Sequence, residues 1–308
     1  MIYSVVDIGS NTIRLQLYQY KKGKLKTIIS KKKTAGLISY KENNKLNDEG
    51  IQTLLSILKS FKKNLIQLKV DNVCYFATAS IRNLKNSDDI LQLIKEELNI
   101  DIYLLESKTE AMMSFNAVKK SGKMTSDEGI LCDVGGGSSE IVYFNNRTPQ
   151  ELTSIDIGSL NSYYKYVSVM LPSTSECEAI RNDVLEKIKK SEVNKHTVTH
   201  LYAVGGTIRA IKKVLEHICI KEDKTSIITP AMLKKLQSEL NKNNKEYFTK
   251  ILQVKAERIH TLVPGLVIIA TIAEYFNIKQ IHVSHKTVRE GVVYSIIEND
   301  KNDNEWNQ

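Results

Sequence analysis

Ile130-Leu131-Cys132-Asp133-Val134-Gly135-Gly136-Gly137-Ser138-Ser139-Glu140-Ile141-Val142-Tyr143-Phe144 is the stretch on which the fold turns. An apolar run enters an aspartate, three glycines follow, and an apolar strand leaves after Glu140, so the segment predicts a hairpin with a tip of almost bare backbone. Such a tip suits phosphate, because glycines let several N–H groups turn toward one point with no Cβ in the way. Asp133, entering the tip, is placed to hold a divalent cation through oxygen or water. Read alone, a three-glycine run is more often a tight hairpin with no ligand.

The chain makes the same statement twice. Val5-Val6-Asp7-Ile8-Gly9-Ser10-Asn11-Thr12-Ile13-Arg14-Leu15 repeats the order strand, aspartate, apolar residue, glycine, small or polar pair, hydroxyl, strand. Asp7, Gly9 and Thr12 fall in register with Asp133, Gly135 and Ser138. Two such hairpins predict two similar lobes facing each other across a cleft. A further glycine pair, in Ala203-Val204-Gly205-Gly206-Thr207-Ile208, follows an apolar run and opens a helical pattern, adding backbone donors at a helix N-terminus.

At 308 residues the chain has the length for two domains with proper cores. Its apolar content is ordinary, no unbroken run of about 18 apolar residues occurs, and the N-terminus enters a strand at once, so the expectation is a soluble, cytoplasmic protein. Cys74, Cys132, Cys177 and Cys219 have no paired spacing for zinc or disulfides and read as buried free thiols where they sit in apolar runs. The six histidines form no metal-binding pair. The net charge of +9, mostly lysine, favours polyanions. Lys21-Lys22-Gly23-Lys24 reads equally as a hairpin turn with exposed edge lysines and as an anion-gathering element.

In chain order, residues 2–8, 13–20 and 25–33 predict strands, 47–69 a helix capped by Asn47 or Asp48, and 70–77 a buried strand. That strand ends in Ala77-Thr78-Ala79-Ser80-Ile81-Arg82, small residues that allow close approach, with an arginine beyond. Ser87 is expected to cap a helix to Leu98, residues 100–105 to form a strand, and 108–120 a helix with Glu110 in its first turn. There Glu110 either favours the helix dipole or stands at the sheet edge where α/β proteins bind ligands. The polar stretch Ser121–Gly129 suggests a boundary between lobes 1–124 and 125–308. Strand 151–157, helices from 174 and 207, a helix from Pro264, a strand at 280–284, a last helix to about Glu298 and a polar tail, 299–308, that either frays or packs across the first lobe complete an α/β reading with partly parallel sheets.

Together these segments resemble the exopolyphosphatase and guanosine pentaphosphate phosphohydrolase family, a branch of the acetate and sugar kinase, heat-shock ATPase and actin superfamily. The resemblance runs through Asp7-Ile8-Gly9-Ser10-Asn11, Ala77–Arg82, Glu110-Ala111, Asp133–Glu140, Gly205-Gly206-Thr207 and Arg289-Glu290-Gly291. It implies two ribonuclease-H-like lobes of actin-like ATPase type, mixed sheets flanked by helices, and an active site in the interdomain cleft. It further implies Mg²⁺-dependent release of the terminal phosphate from inorganic polyphosphate, or from guanosine pentaphosphate, by a homodimer. On the matching positions the catalytic base is Glu110, the phosphate-binding arginine is Arg82, and the acidic residues around metal and water are Asp7, Asp133 and Glu140. Met112 and His260 depart from the pattern, where arginine and aspartate are common, and bear on substrate preference. Long forms carry an additional C-terminal helical region, so shorter phosphate chains, or a guanosine pentaphosphate, are expected to be handled better here than very long polymers.

Phosphoryl transfer to water asks for placement and charge neutralisation. Ser10, Asn11, Gly135, Gly136, Gly137, Ser138, Gly205, Gly206 and Thr207 are expected to hold the last phosphates, Arg82 to offset charge at the leaving oxygen, and Glu110 to orient and deprotonate water. The rivals are a kinase or ATPase on the same scaffold, with a nucleotide pocket near Gly205, and a non-catalytic sensor of guanosine tetraphosphate or polyphosphate. Glu110, Asp133 and Glu140 together argue against the sensor, since three carboxylates beside an anion only weaken its binding.

Overall fold

The computed structural model describes residues 1–70, 72–218, 227–241 and 245–305; Cys219 and the last three residues of the expected tail lie outside them. The chain divides into two compact units, residues 1–110 with 292–308, and residues 111–291.

The first unit is built on a five-stranded sheet. Strands β1 (Ile2–Ile8), β2 (Thr12–Lys21) and β3 (Lys24–Thr34) run antiparallel, followed after a 3₁₀ turn by a small ribbon of β4 (Lys41–Glu42) and β5 (Lys45–Leu46). Lys22 and Gly23, both at positive φ, make the two-residue turn between β2 and β3, and most of β3 is exposed, as suits an edge strand rich in lysine. Helix α1 (Asp48–Gln67) starts at Asn47, whose side chain accepts from the Gly50 amide. It buries Leu54, Leu58, Phe61 and Leu65 in the unit's core. Strand β6 (Val73–Ala77) lies parallel to β1, and after α2 (Ala79–Arg82) and α3 (Ser87–Leu98) comes β7 (Ile102–Leu104), parallel to β6. The sheet order is β3-β2-β1-β6-β7. Ser87 does not cap α3. It is the first helical residue and is buried, and the capping position falls to Asn86, whose amide is held by both backbone groups of Leu46.

Helix α4 (Ser107–Lys120) carries the chain from one unit to the next. The second unit repeats the plan. Antiparallel β8 (Gly129–Val134), β9 (Ser139–Asn145) and β10 (Thr148–Ile155) are followed by α5 (Ser159–Tyr166), α6 (Thr174–Lys189), β11 (His200–Val204) and α7 (Gly205–Ile218). Then come β12 (Ile227–Ile228), α8 (Pro230–Asn241), α9 (Lys245–Lys255), α10 (Ile259–Tyr275), β13 (Gln280–Val283) and α11 (Val288–Glu305). The order β10-β9-β8-β11-β13 matches that of the first sheet strand for strand, and β12 adds an antiparallel edge.

Strand β8 is buried on both faces. Ile130, Cys132 and Val134 enter the core that α6, α7 and α10 cover, whereas Leu131 joins Ala111, Phe115 and Val118 of α4 on the other side. Helix α10 starts at Ile259, earlier than the expected start at Pro264, and holds that proline in its interior. Burial of Ile259, Leu262 and Val263 offsets the missing hydrogen bond. The helical run Phe248–Tyr275 is apolar and long enough to cross a membrane by length and composition, which a search for unbroken apolar runs misses because scattered polar residues interrupt it. Its apolarity has a local reason, since most of it is buried in this core.

Candidate active site

In the first unit the β1–β2 turn is closed by the Gly9 amide donating to the Thr12 carbonyl at 3.2 Å. The segment after β3 ties the turn from behind: Ala35 and Gly36 amides donate to the Asn11 carbonyl at 2.9 and 3.0 Å, and the Ile38 amide to the Ser10 carbonyl at 3.3 Å. Asp7 sits one residue before the end of β1, in register with Arg14 and Phe76. Because β6 is parallel to β1, Ile8 pairing with Ala77, the Thr78–Arg82 segment emerges beside the same end of the strand. The Ser80 hydroxyl fixes it there by donating to the Ile8 carbonyl at 2.5 Å. Arg82 donates through Nη1 to the Leu105 carbonyl and to Glu110 Oε2, the latter at 3.2 Å. Glu110, in the first turn of α4, is only 8% exposed, so its carboxylate is oriented by the guanidinium rather than by bulk water.

The second unit reproduces the turn. The Gly135 amide donates to the Ser138 carbonyl at 2.9 Å. Asp133 and Glu140 lie directly opposite each other on β8 and β9, so both side chains rise on the α4 face of the sheet. Ser114 of α4 donates to Asp133 Oδ2 at 3.2 Å, and Ser154 of β10 to Glu140 Oε1 at 2.9 Å. Cys132, wholly buried beside this carboxylate pair, has its thiol pushed well above the ordinary range by burial first and by the negative charge of Asp133 and Glu140 second.

The glycine pair at the start of α7 joins the same place. Gly205 has φ of +101°, and a methyl group there would stand 2.6 Å from Asp133 Oδ1. The Thr207 hydroxyl is buried and donates to the Val134 carbonyl at 3.1 Å, so it ties α7 to the base of the glycine tip. A methyl group on Gly206 would meet the Arg258 guanidinium at 2.5 Å. Arg258 is largely buried, and burial draws its pKa below the usual arginine value, against the opposing pull of Glu257. Arg289 stands in the first turn of α11, where Glu290 accepts from the Thr287 amide and hydroxyl at 3.0 Å each and so caps the helix. Cations also meet near His285, whose pKa is lowered by burial and then by Arg209, Lys123, Lys212 and Lys286.

Among the described residues no three His, Cys, Asp or Glu side chains converge as a metal cage. Two opposed carboxylates with hydroxyl neighbours are nevertheless a hard oxygen set of the kind Mg²⁺ uses, since that ion binds through one or two carboxylates and completes its shell with water and phosphate oxygens. Within this unit the structure thus gathers Asp133, Glu140, Gly135–Ser138 and Gly205–Thr207, and within the first it gathers Ser10, Asn11, Arg82 and Glu110 near the end of β1. Sequence reading passed over Ser114, Ser154, Gly158, Ser159 and Asn161, each of which contacts one of these residues. Only the Gly158-Ser159-Leu160-Asn161 string, with capping residues ahead of a helix, carried a signal that could have found them.

The Aquifex aeolicus member of the Ppx/GppA protein family has a solved structure that is 27% identical to this chain, with a TM-score of 0.79 over 97% of this chain and 98% of that one. An exopolyphosphatase from Cytophaga hutchinsonii has the same fold, with a TM-score of 0.83 at 22% identity over 97% and 98% of the two chains. The guanosine-5'-triphosphate,3'-diphosphate pyrophosphatase of Aliivibrio fischeri is 25% identical over 301 residues, which make up 96% of this chain and 59% of that protein, so the chain spans about three fifths of that relative. The profile of the Ppx/GppA phosphatase family matches residues 17–300, from the middle of β2 into α11, and the chain belongs to that family.

Proposed function

We propose that the chain is an exopolyphosphatase that releases orthophosphate from the end of inorganic polyphosphate. The observation that carries this reading is the Arg82–Glu110 pair held at 3.2 Å beside a tightly tied turn in one unit, with a second such turn and an opposed carboxylate pair in the other. The amides of the Gly135–Gly137 turn and of Gly205-Gly206 bind phosphate, and bare backbone admits it closely. Arg82 reaches a phosphate oxygen and offsets charge that grows at the bridging oxygen as the P–O bond breaks. Glu110 accepts a proton from the attacking water, whose oxygen forms the new bond to phosphorus. Asp133 and Glu140 would hold Mg²⁺, which when bound neutralises phosphate charge. The Aliivibrio relative's name supports guanosine pentaphosphate as the second reading.

The test is orthophosphate release from tripolyphosphate, longer polyphosphate, guanosine pentaphosphate and ATP, each with Mg²⁺. Release from polyphosphate, one terminal unit at a time on a gel, is the expected result; release from ATP alone points instead to the kinase or ATPase reading. Glu110→Gln should lower turnover at least about a hundredfold, a typical loss for a general base, and leave polyphosphate binding nearly intact. Unchanged turnover removes Glu110 from the mechanism.

A further inference from the structure

Helix α5 holds the glycine tip of the second unit from behind. The Ser159 amide and hydroxyl donate to the Gly135 carbonyl at 2.9 and 3.0 Å. The Leu160 and Asn161 amides donate to the Gly136 carbonyl at 2.9 and 3.0 Å. The Asn161 side chain completes the set: Nδ2 donates to the Gly137 carbonyl at 2.7 Å while Oδ1 accepts from the Gly158 amide at 2.7 Å. Gly158 itself packs so closely on the tip that an added methyl group would stand 2.5 Å from the Gly136 carbonyl.

A trans peptide unit points its N–H opposite its C=O, and no peptide bond described here is cis. With the carbonyls of Gly135, Gly136 and Gly137 all fixed onto α5, the amides of Gly136, Gly137 and Ser138 must face away from it. Three consecutive glycines have no side-chain preference that chooses this orientation over one with a carbonyl reversed, and a reversed carbonyl would present partial negative charge to an anion. The first two carbonyls are held by backbone amides and so by any sequence that forms the helix. The third depends on the Asn161 amide group, which donates at one end and accepts at the other. Aspartate lacks the donor and serine lacks the reach.

We infer that Asn161 is a positioning residue, which with Ser159 sets the Gly135–Gly137 tip in its anion-accepting orientation. This rests on the proposed function only in taking the tip as a phosphate seat, and direct binding separates the two. The probe is imidodiphosphate, whose two phosphates resist hydrolysis, titrated calorimetrically into the full chain with Mg²⁺. At pH 7.5, Asn161→Asp should bind it about tenfold more weakly than the unaltered chain, as expected for losing one short hydrogen bond and placing two acceptors together. The ratio between variant and unaltered chain should narrow as pH falls from about 5 toward 4, the range in which an aspartate carboxyl takes up its proton and can donate to the Gly137 carbonyl. A change that only loosened α5 would lower the melting temperature without this return. Ser159→Ala, which keeps the backbone donor, should weaken binding about threefold at every pH and serves alone if the first variant does not fold.

Equal affinity in the first variant, a ratio that stays flat with pH, or an unaffected Ser159→Ala where only that variant folds, overturns the inference. If the pH-dependent ratio appears and no phosphate is released from any substrate, the proposed function falls and the positioning role stands. If polyphosphate is hydrolysed and the ratio is one throughout, the reverse holds. No binding of imidodiphosphate by the unaltered chain overturns both.

Discussion

Gly206 leaves room for no side chain unless the Arg258 guanidinium moves, because the added methyl would stand 2.5 Å from its Nη2. The end of an arginine side chain can shift at little cost, and alanine is the better helix former by about 1 kcal/mol. Gly206→Ala should therefore leave the melting temperature unchanged or slightly raised while phosphate release falls about tenfold, as when one well-aimed donor is disturbed. A parallel loss of stability and activity would mean that Arg258 is held for packing alone. Residue-level reading of the sequence found Gly205 and Gly206 because glycine pairs are rare and stand where a strand gives way to a helix. Arg258 is harder to find in the sequence, since Gly206 lies 52 positions earlier and no local pattern joins them. Asn161 escaped notice because the string Gly158–Asn161 marks a helix start, while the backbone groups that its amide bridges leave no compositional trace of their own.

The crossing of α11 and α4 belongs to the scale of elements. Gly291 lies so near Met113 that a methyl group would stand 2.0 Å from the Met113 carbonyl oxygen and 2.8 Å from its Cα. Both neighbours are helix backbone and cannot turn aside as a side chain can. Gly291→Ala should cost about 1–3 kcal/mol or more, read as a lower denaturation midpoint in urea, because the helices must part or bend. An unchanged midpoint would show the crossing to be slack. Strands were legible wherever alternation or an apolar run was clear, and β1, β2, β8 and β9 fell where the sequence placed them. Helix starts were less so. The interior proline of α10 and the start of α3 at Ser87 both depend on contacts made elsewhere in the fold, namely burial of Ile259, Leu262 and Val263 and the grip of the Asn86 side chain on Leu46.

At the scale of the molecule, the repeated Asp-x-Gly turn announced the repeated sheet, because a strand–turn–strand signal is local and the remaining strands follow from right-handed crossovers. The basic balance was equally plain in composition, and Arg209, Lys123, Lys212 and Lys286 all help to lower the pKa of His285. Tripolyphosphate KM should accordingly rise several-fold between 50 and 300 mM salt, measured at constant free Mg²⁺, as screening weakens attraction between exposed charges. A flat KM would mean that only the inner donors hold the substrate. One feature of chain order carries a consequence for synthesis. The chain leaves the first unit within α4 and returns to it within α11, where Tyr3 on β1 meets Asp300 at 3.4 Å. Residues 1–110 thus emerge from the ribosome without one of their helices and must wait through the making of 181 further residues for it, whereas residues 111–291 emerge as an unbroken whole. The later-made body has all its parts first, and the half-built earlier one is the surface that a chaperone would meet.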